Sequence, residues 1–395
     1  MRFRLILLIG ISVLIGAAQP VFSFTEPISD AGDAFQTAPF DPIAFEHRMQ
    51  DAIEISGIDG LVILLVAGDD VVFLSALGQD ANGEPMNPVS AFDIGRLSDS
   101  FLATLVIAES ERGLIEPRDA VDILIDDFTL PGRQSTANIT VSRLLNHTAG
   151  LGGTALAPLE SLPMESLQDL ILLHYPGARF SYCTRCYGML VTLLERLSGK
   201  SLSDLMHDII FYPLQMDSTR IEDHRILTTA LDMAKFISMQ AQAGRWQQVQ
   251  MLKPENLLMM QTRIVDTERS LDEEYGYGWF VDSDAGLETI TRADDRLITA
   301  YDFENYSAQM TIAPAYRRGI LLLTDQPTDG LDSLMNIALE AFMGWTPPPF
   351  DVPADLRIIA GNFSSTDPIL GGDIVLEVIP PDENNSAQSD SSPNP

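Results

Sequence analysis

The chain has 395 residues, 46% of them hydrophobic, with a mean hydropathy of +0.09, which is enough apolar material to bury a large core in one domain or two lobes. Its 24 Lys and Arg stand against 56 Asp and Glu, a formal charge of −32. Such a surface repels phosphate backbones and anionic lipid, so nucleic acid is excluded as a partner and the charge is read as a solubility device.

In chain order, Met1-Arg2-Phe3-Arg4 and the apolar run Leu5 to Ala18 precede the small-residue exit Val21-Phe22-Ser23. That pattern predicts a secretory signal over residues 1–23 and an exported protein, periplasmic or extracellular. A retained anchor helix is the alternative, but no other run approaches the ~20 apolar residues of a bilayer span. The expectation is no membrane span once the signal is removed.

After a Pro- and Asp-containing lead, Phe45 to Glu54 reads as a helix, closing an N-terminal segment 24–57. Leu61 to Val66 and Val71 to Ala76 are β-rich runs joined by Ala67-Gly-Asp-Asp70, a hairpin signal that starts an antiparallel sheet. An extended stretch, Ser90 to Gly95, then gives way to a helix over Phe101 to Arg112, stopped by Gly113. A strand-to-helix junction is a natural seat for a reactive group, because the first turn has free N–H groups and a positive dipole end.

From Glu116 to about Arg269 the pattern is mostly helical. Thr140 caps a helix over Ile139 to Thr148, and Leu190 to Leu197, Leu202 to Phe211 and Thr228 to Ile237 follow. Strand character returns with Tyr275 to Val281, Ser307 to Ile312 and Gly319 to Thr324, and Asp332 to Met343 is a closing helix. Trp345 to Phe350 is a Pro-rich linker, and Pro380 to Pro395 has the composition of a disordered tail.

Cys183 and Cys186 form C-T-R-C, for which a local disulfide or two buried thiols is favoured over metal, since no second Cys/His cluster completes a ligand set. The five histidines show neither H-E-x-x-H nor H-x-H, so no metal and no other cofactor is expected.

Val141-Ser-Arg-Leu-Leu-Asn-His-Thr-Ala-Gly-Leu151 resembles the L-L-x-H-T-S-G-L segment of the serine β-lactamase-related family, which includes class C β-lactamases, D-alanyl-D-alanine carboxypeptidases and esterases. Phe180-Ser-Tyr-Cys-Thr184, Ser198-Gly-Lys-Ser-Leu202, Phe211-Tyr-Pro-Leu-Gln-Met216 and Tyr275-Gly-Tyr-Gly-Trp279 resemble further family segments in the same order. The resemblance implies an α+β, β-lactamase/transpeptidase-like fold: an antiparallel sheet flanked by helices, with an inserted all-helical lobe. The expected domain spans 58–345, with a sheet lobe at about 58–115 and 275–345 and a helical lobe at about 116–274. Residues 346–395 are then linker, a short remnant around Ala354 to Phe363, and tail.

In that family the resemblance implies a serine at a helix start, a lysine one turn on, a tyrosine in proton transfer and an oxyanion hole. Aligning Phe92-Asp-Ile-Gly-Arg-Leu-Ser-Asp-Ser-Phe101 puts Arg96 at the nucleophile and Asp99 at the lysine. An arginine stays protonated and cannot attack a carbonyl, and an aspartate has the wrong charge for the lysine's work. At i and i+3 the two are expected to pair with each other. Tyr182 matches the family tyrosine, Thr184 replaces asparagine, and the Lys/His-x-Gly triplet expected near Ile298 to Tyr301, around Thr299, is missing. Ser98 and Ser100 lack a base at helical spacing and read as packed hydroxyls, Cys183 competes with a disulfide, and His147 reads as structural.

Two hypotheses follow. The first is an exported pseudoenzyme that has lost the acyl-enzyme mechanism and serves as a ligand-binding or regulatory module, its inter-lobe cleft taking a small molecule or peptide. The alternative is an active hydrolase of a β-lactam, D-Ala peptide or ester using a non-standard nucleophile. The oligomeric state is not encoded in any pattern seen here.

Overall fold

The computed structural model describes residues 40–344, apart from 126–127, 129–137, 153–155, 164–165, 167–169, 269–272, 285–286, 294–306, 327 and 329. The segments expected to be signal peptide, linker, remnant around Ala354 and tail, and Thr299, lie outside the described residues.

The elements that matter are α1 (Pro42–Ser56), β1 (Gly60–Ala67), β2 (Asp70–Gly78), α2 (Ser98–Glu111), α3 (Thr184–Ser198), α4 (Ala230–Ala241) and α5 (Pro254–Met260). After them come β3 (Val265–Asp266), β4 (Glu273–Tyr275), β5 (Phe280–Asp284), β6 (Leu287–Ala293), β7 (Ser307–Ala313), β8 (Arg318–Thr324) and α6 (Leu331–Met343). The strands build one eight-stranded antiparallel sheet in the order β3-β4-β5-β6-β7-β8-β1-β2.

The β1–β2 hairpin turns at Gly68 and Asp69, as the sequence predicts, and Leu64 pairs with Leu74. Because successive side chains of a strand point to opposite faces, β1 feeds two cores. Val62, Leu64 and Val66 join the larger one with α2, α3 and α4, while Leu61, Ile63 and Leu65 join the smaller one under α1 and α6. β8 divides likewise, with Leu321 and Leu323 on one side and Ile320 and Leu322 on the other. A strand covered on both faces reads as an unbroken apolar run, and each such side chain contributes about 1.5–3 kcal/mol by burial.

α2 is buried along its whole length from Ser98 to Glu109, as its all-round apolar sequence requires. Phe101 stacks on Phe236 of α4 with ring centroids 3.7 Å apart. The inserted region carries α3, capped by Cys183, and α4, capped by Thr229, as well as short β pairs such as Arg220–Glu222 with Arg225–Thr228. Thr140 caps its helix as expected, but that helix ends at Leu145, because His147 adopts a left-handed φ of 57°. The strand expected over Tyr275 to Val281 is two strands, β4 and β5, joined by a turn in which Gly276 N donates to Trp279 O at 2.9 Å. Gly278 in that turn has φ +81°, and a Cβ there would lie 2.7 Å from Ala103 Cβ and 3.1 Å from Asp99 O of α2. Only a glycine lets this turn close on the helix.

Candidate active site

The junction is built by a short strand, Phe92–Asp93, a 3₁₀ turn, Gly95–Leu97, and the first turn of α2. Asp93 fixes the entry: its Oδ1 accepts from Gly95 N at 2.8 Å and its Oδ2 lies 3.3 Å from Arg225 Nη1. Burial raises the Asp93 carboxyl above its ordinary range, although the Gly95 N–H and the Arg225 charge pull the other way. Gly95, at φ +48°, aims the chain into the turn.

Arg96 and Asp99 are both enclosed, at 3% and 1% exposure. The expected ion pair between them gives way to separate contacts. Arg96 Nη2 donates to Leu156 O at 2.6 Å, and Tyr182 Oη donates to Asp99 Oδ2. The i, i+3 argument fails because Arg96 lies in the 3₁₀ turn and only Asp99 lies on α2. The dipole favours the acid in the first turn and disfavours the guanidinium beside it.

The second motif meets the first through the backbone of Leu156. Its N–H donates to Thr184 Oγ1 at 3.0 Å while its carbonyl accepts from Arg96. Main chain thus runs between the residues at the nucleophile and asparagine positions, a contact no local pattern announces. Thr299 lies outside the described residues. Two strands pack on the Gly95–Leu97 turn, β7 and β6, and neither Ser-Ala-Gln-Met-Thr-Ile-Ala nor Leu-Glu-Thr-Ile-Thr-Arg-Ala contains a Lys/His-x-Gly triplet.

Other nucleophiles are engaged. Ser98 Oγ donates to Gly95 O at 2.6 Å and Ser100 Oγ to Leu97 O at 2.7 Å, and both residues are fully buried. Cys183 and Cys186 form a disulfide across the first turn of α3, so the local bond prevails over two thiols. His147, with no exposure, accepts the Cys183 N–H on Nδ1 at 3.1 Å, which leaves the proton on Nε2 for Tyr275 Oη at 3.2 Å. Rings of Tyr182, Tyr187 and Tyr275 pack around it at 4.3, 4.8 and 5.0 Å. These contacts tie His147 to the second motif through Cys183. Among the described residues no group of three or more His, Cys, Asp or Glu is placed to hold a metal ion. Among them, too, no helix is long and apolar enough to cross a membrane.

Residues 45–341 match a family model described as Beta-lactamase. The chain is similar to Penicillin-binding protein 4* of Bacillus subtilis (strain 168), 28% identical over 184 residues that make up 43% of this chain and 40% of that protein. It is 25% identical to Penicillin-binding protein 4 of Amycolatopsis lactamdurans over 187 residues, 45% of this chain and 48% of that one. The chain therefore spans about half or less of the curated relatives it matches. An octameric penicillin-binding protein homologue from Pyrococcus abyssi shares the fold, with a TM-score of 0.63, 19% identity and 78% of each chain covered. A D-stereospecific amidohydrolase from Streptomyces sp. does so with a TM-score of 0.59 at 16% identity, over 78% of this chain and 100% of that one.

Proposed function

The chain belongs to the beta-lactamase family, and on that footing we propose that it is an exported, ligand-binding or regulatory member that no longer runs the serine acyl-enzyme route. One observation carries the reading: a buried arginine, bonded to the Leu156 carbonyl, occupies the position at the head of α2 where the mechanism needs a hydroxyl. Asp99, held by Tyr182, supplies no amine to take a proton from a nucleophile. The backbone of Leu156 bridges Arg96 and Thr184, and both nearby serine hydroxyls are spent on main-chain carbonyls. The apolar N-terminal run and the Cys183–Cys186 bond fit an oxidising compartment outside the cytoplasm.

The test is incubation of the purified protein with a reporter β-lactam and simple esters, followed by intact mass. No turnover and no adduct is the expected result. Turnover, or an adduct lost on mutating Ser98 or Cys183, would refute the reading in favour of a hydrolase with a non-standard nucleophile. Arg96→Ser combined with Asp99→Lys is expected to stay silent, because Thr184 still stands for asparagine and the Lys/His-x-Gly triplet is still missing. Measurable hydrolysis by that double variant would show the rest of the site to be competent.

A further inference from the structure

A cavity of about 450 Å³ lies away from the α2 junction, between the end of α4, the helix α5 and the β7–β8 turn. Pro254, Leu257 and Leu258 form its apolar wall, and Leu258 remains 59% exposed. Two guanidinium groups, Arg245 and Arg317, line the other side. Both donate to one acceptor, Gln242 Oε1, from Arg317 Nη2 and, at 3.5 Å, from Arg245 Nη2. The amide cannot turn away, since its Nε2 donates to Asp69 Oδ1 at 2.6 Å and to Ser238 Oγ at 2.9 Å.

Among the described residues, no carboxylate oxygen lies within 4.0 Å of either guanidinium. In a chain of net charge −32, two adjacent cations with no carboxylate in direct contact run against the composition. Asp69 interacts electrostatically with Arg245 but lies beyond 4.0 Å of both guanidinium groups. Its carboxylate accepts from Ser238, Gln242 and the Gln247 N–H, the last at 3.2 Å. Arg317 is also held at φ 52°, a left-handed position that costs an L-residue energy and that tends to persist where function fixes it. Its carbonyl, accepting from Gly68 N at 2.8 Å, ties that turn to the β1–β2 hairpin.

We propose that this cavity binds an amphipathic carboxylate: the anion bridges Arg245 and Arg317 beside their shared amide oxygen, and an aliphatic chain of medium length lies on Pro254, Leu257 and Leu258. Guanidinium forks match the two oxygens of a carboxylate, and an apolar pocket of this volume class holds small ligands. The inference stands whether or not the α2 junction is catalytically silent.

Isothermal titration of the full chain with octanoate tests it, with octanol, octylamine and acetate as controls. Octanoate is expected to bind and to raise the melting temperature, and each control to bind at least about ten-fold more weakly. Arg317→Gln, on an exposed turn, should lose about ten-fold or more in octanoate affinity, and Leu258→Asp should lose binding without touching the cation pair. Absence of octanoate binding, octanol or acetate binding as tightly as octanoate, or wild-type affinity in both variants would each overturn the proposal. The readout is binding alone, so its failure leaves the reading of the junction untouched.

Discussion

Gly278→Ala puts the packing of the Tyr275-Gly-Tyr-Gly-Trp279 turn on α2 to a quantitative test. At φ +81° an alanine pays the left-handed penalty, about 1–2 kcal/mol. Its methyl would also stand 2.7 Å from Ala103 Cβ and 3.1 Å from Asp99 O, and overpacking of that kind costs about 1–3 kcal/mol. The variant should therefore lose about 2–5 kcal/mol, read as a drop in the urea midpoint at unchanged slope by far-ultraviolet circular dichroism. Ala103→Gly removes the nearer obstacle, so a double-mutant cycle should show a favourable coupling of about 1–3 kcal/mol while the backbone penalty persists. A loss under about 0.5 kcal/mol for Gly278→Ala, or a coupling indistinguishable from zero, would refute the close approach as the reason for the glycine.

Further outcomes are expected elsewhere. Burial raises the Asp93 carboxyl above its ordinary 3.8, so the folded state holds the proton more tightly than the unfolded one. Stability must then fall as pH climbs from the unfolded value through the folded one and stay lower above it. Asp93→Asn keeps the acceptor for Gly95 N and should flatten that part of a melting-temperature profile against pH; an unchanged slope would show that Asp93 is not the titrating group. Replacing Cys183 and Cys186 together by serine should cost about 2 kcal/mol in denaturant unfolding, the chain-entropy value for so short a loop. A cost beyond about 4 kcal/mol would mean that the bond secures more than the first turn of α3. Tyr182→Phe should cost about 1.5–3 kcal/mol by removing a hydrogen bond to the buried Asp99 carboxylate, and a neutral result would show that the bond carries no weight.

Much of the architecture was legible because it rests on periodicity and on local turn chemistry. The β1–β2 hairpin follows from two apolar runs around Gly68 and Asp69, and α2 and α6 from helical runs that end in glycine. The Tyr275 to Val281 stretch misled because its aromatic residues favour strands while its glycines make a turn, and that choice depends on a helix remote in sequence. At the site, the positions of Arg96, Asp99, Tyr182 and Thr184 could be aligned from motif order. Their partners could not. The Arg96–Asp99 pair assumed one continuous α-helix where the chain makes a 3₁₀ turn, and the Leu156 bridge joins residues separated by long stretches of sequence.

That bridge bears on how the protein would be noticed in a cell. The link is made by the backbone of Leu156, its carbonyl held by Arg96 and its N–H by Thr184, so replacing the Leu156 side chain leaves both bonds in place. A labelled penicillin marks a protein only where a nucleophile opens its ring and becomes acylated. On the proposed reading of this junction, the chain should pass through such a screen unmarked, counted by abundance in a proteome and absent from its activity profile.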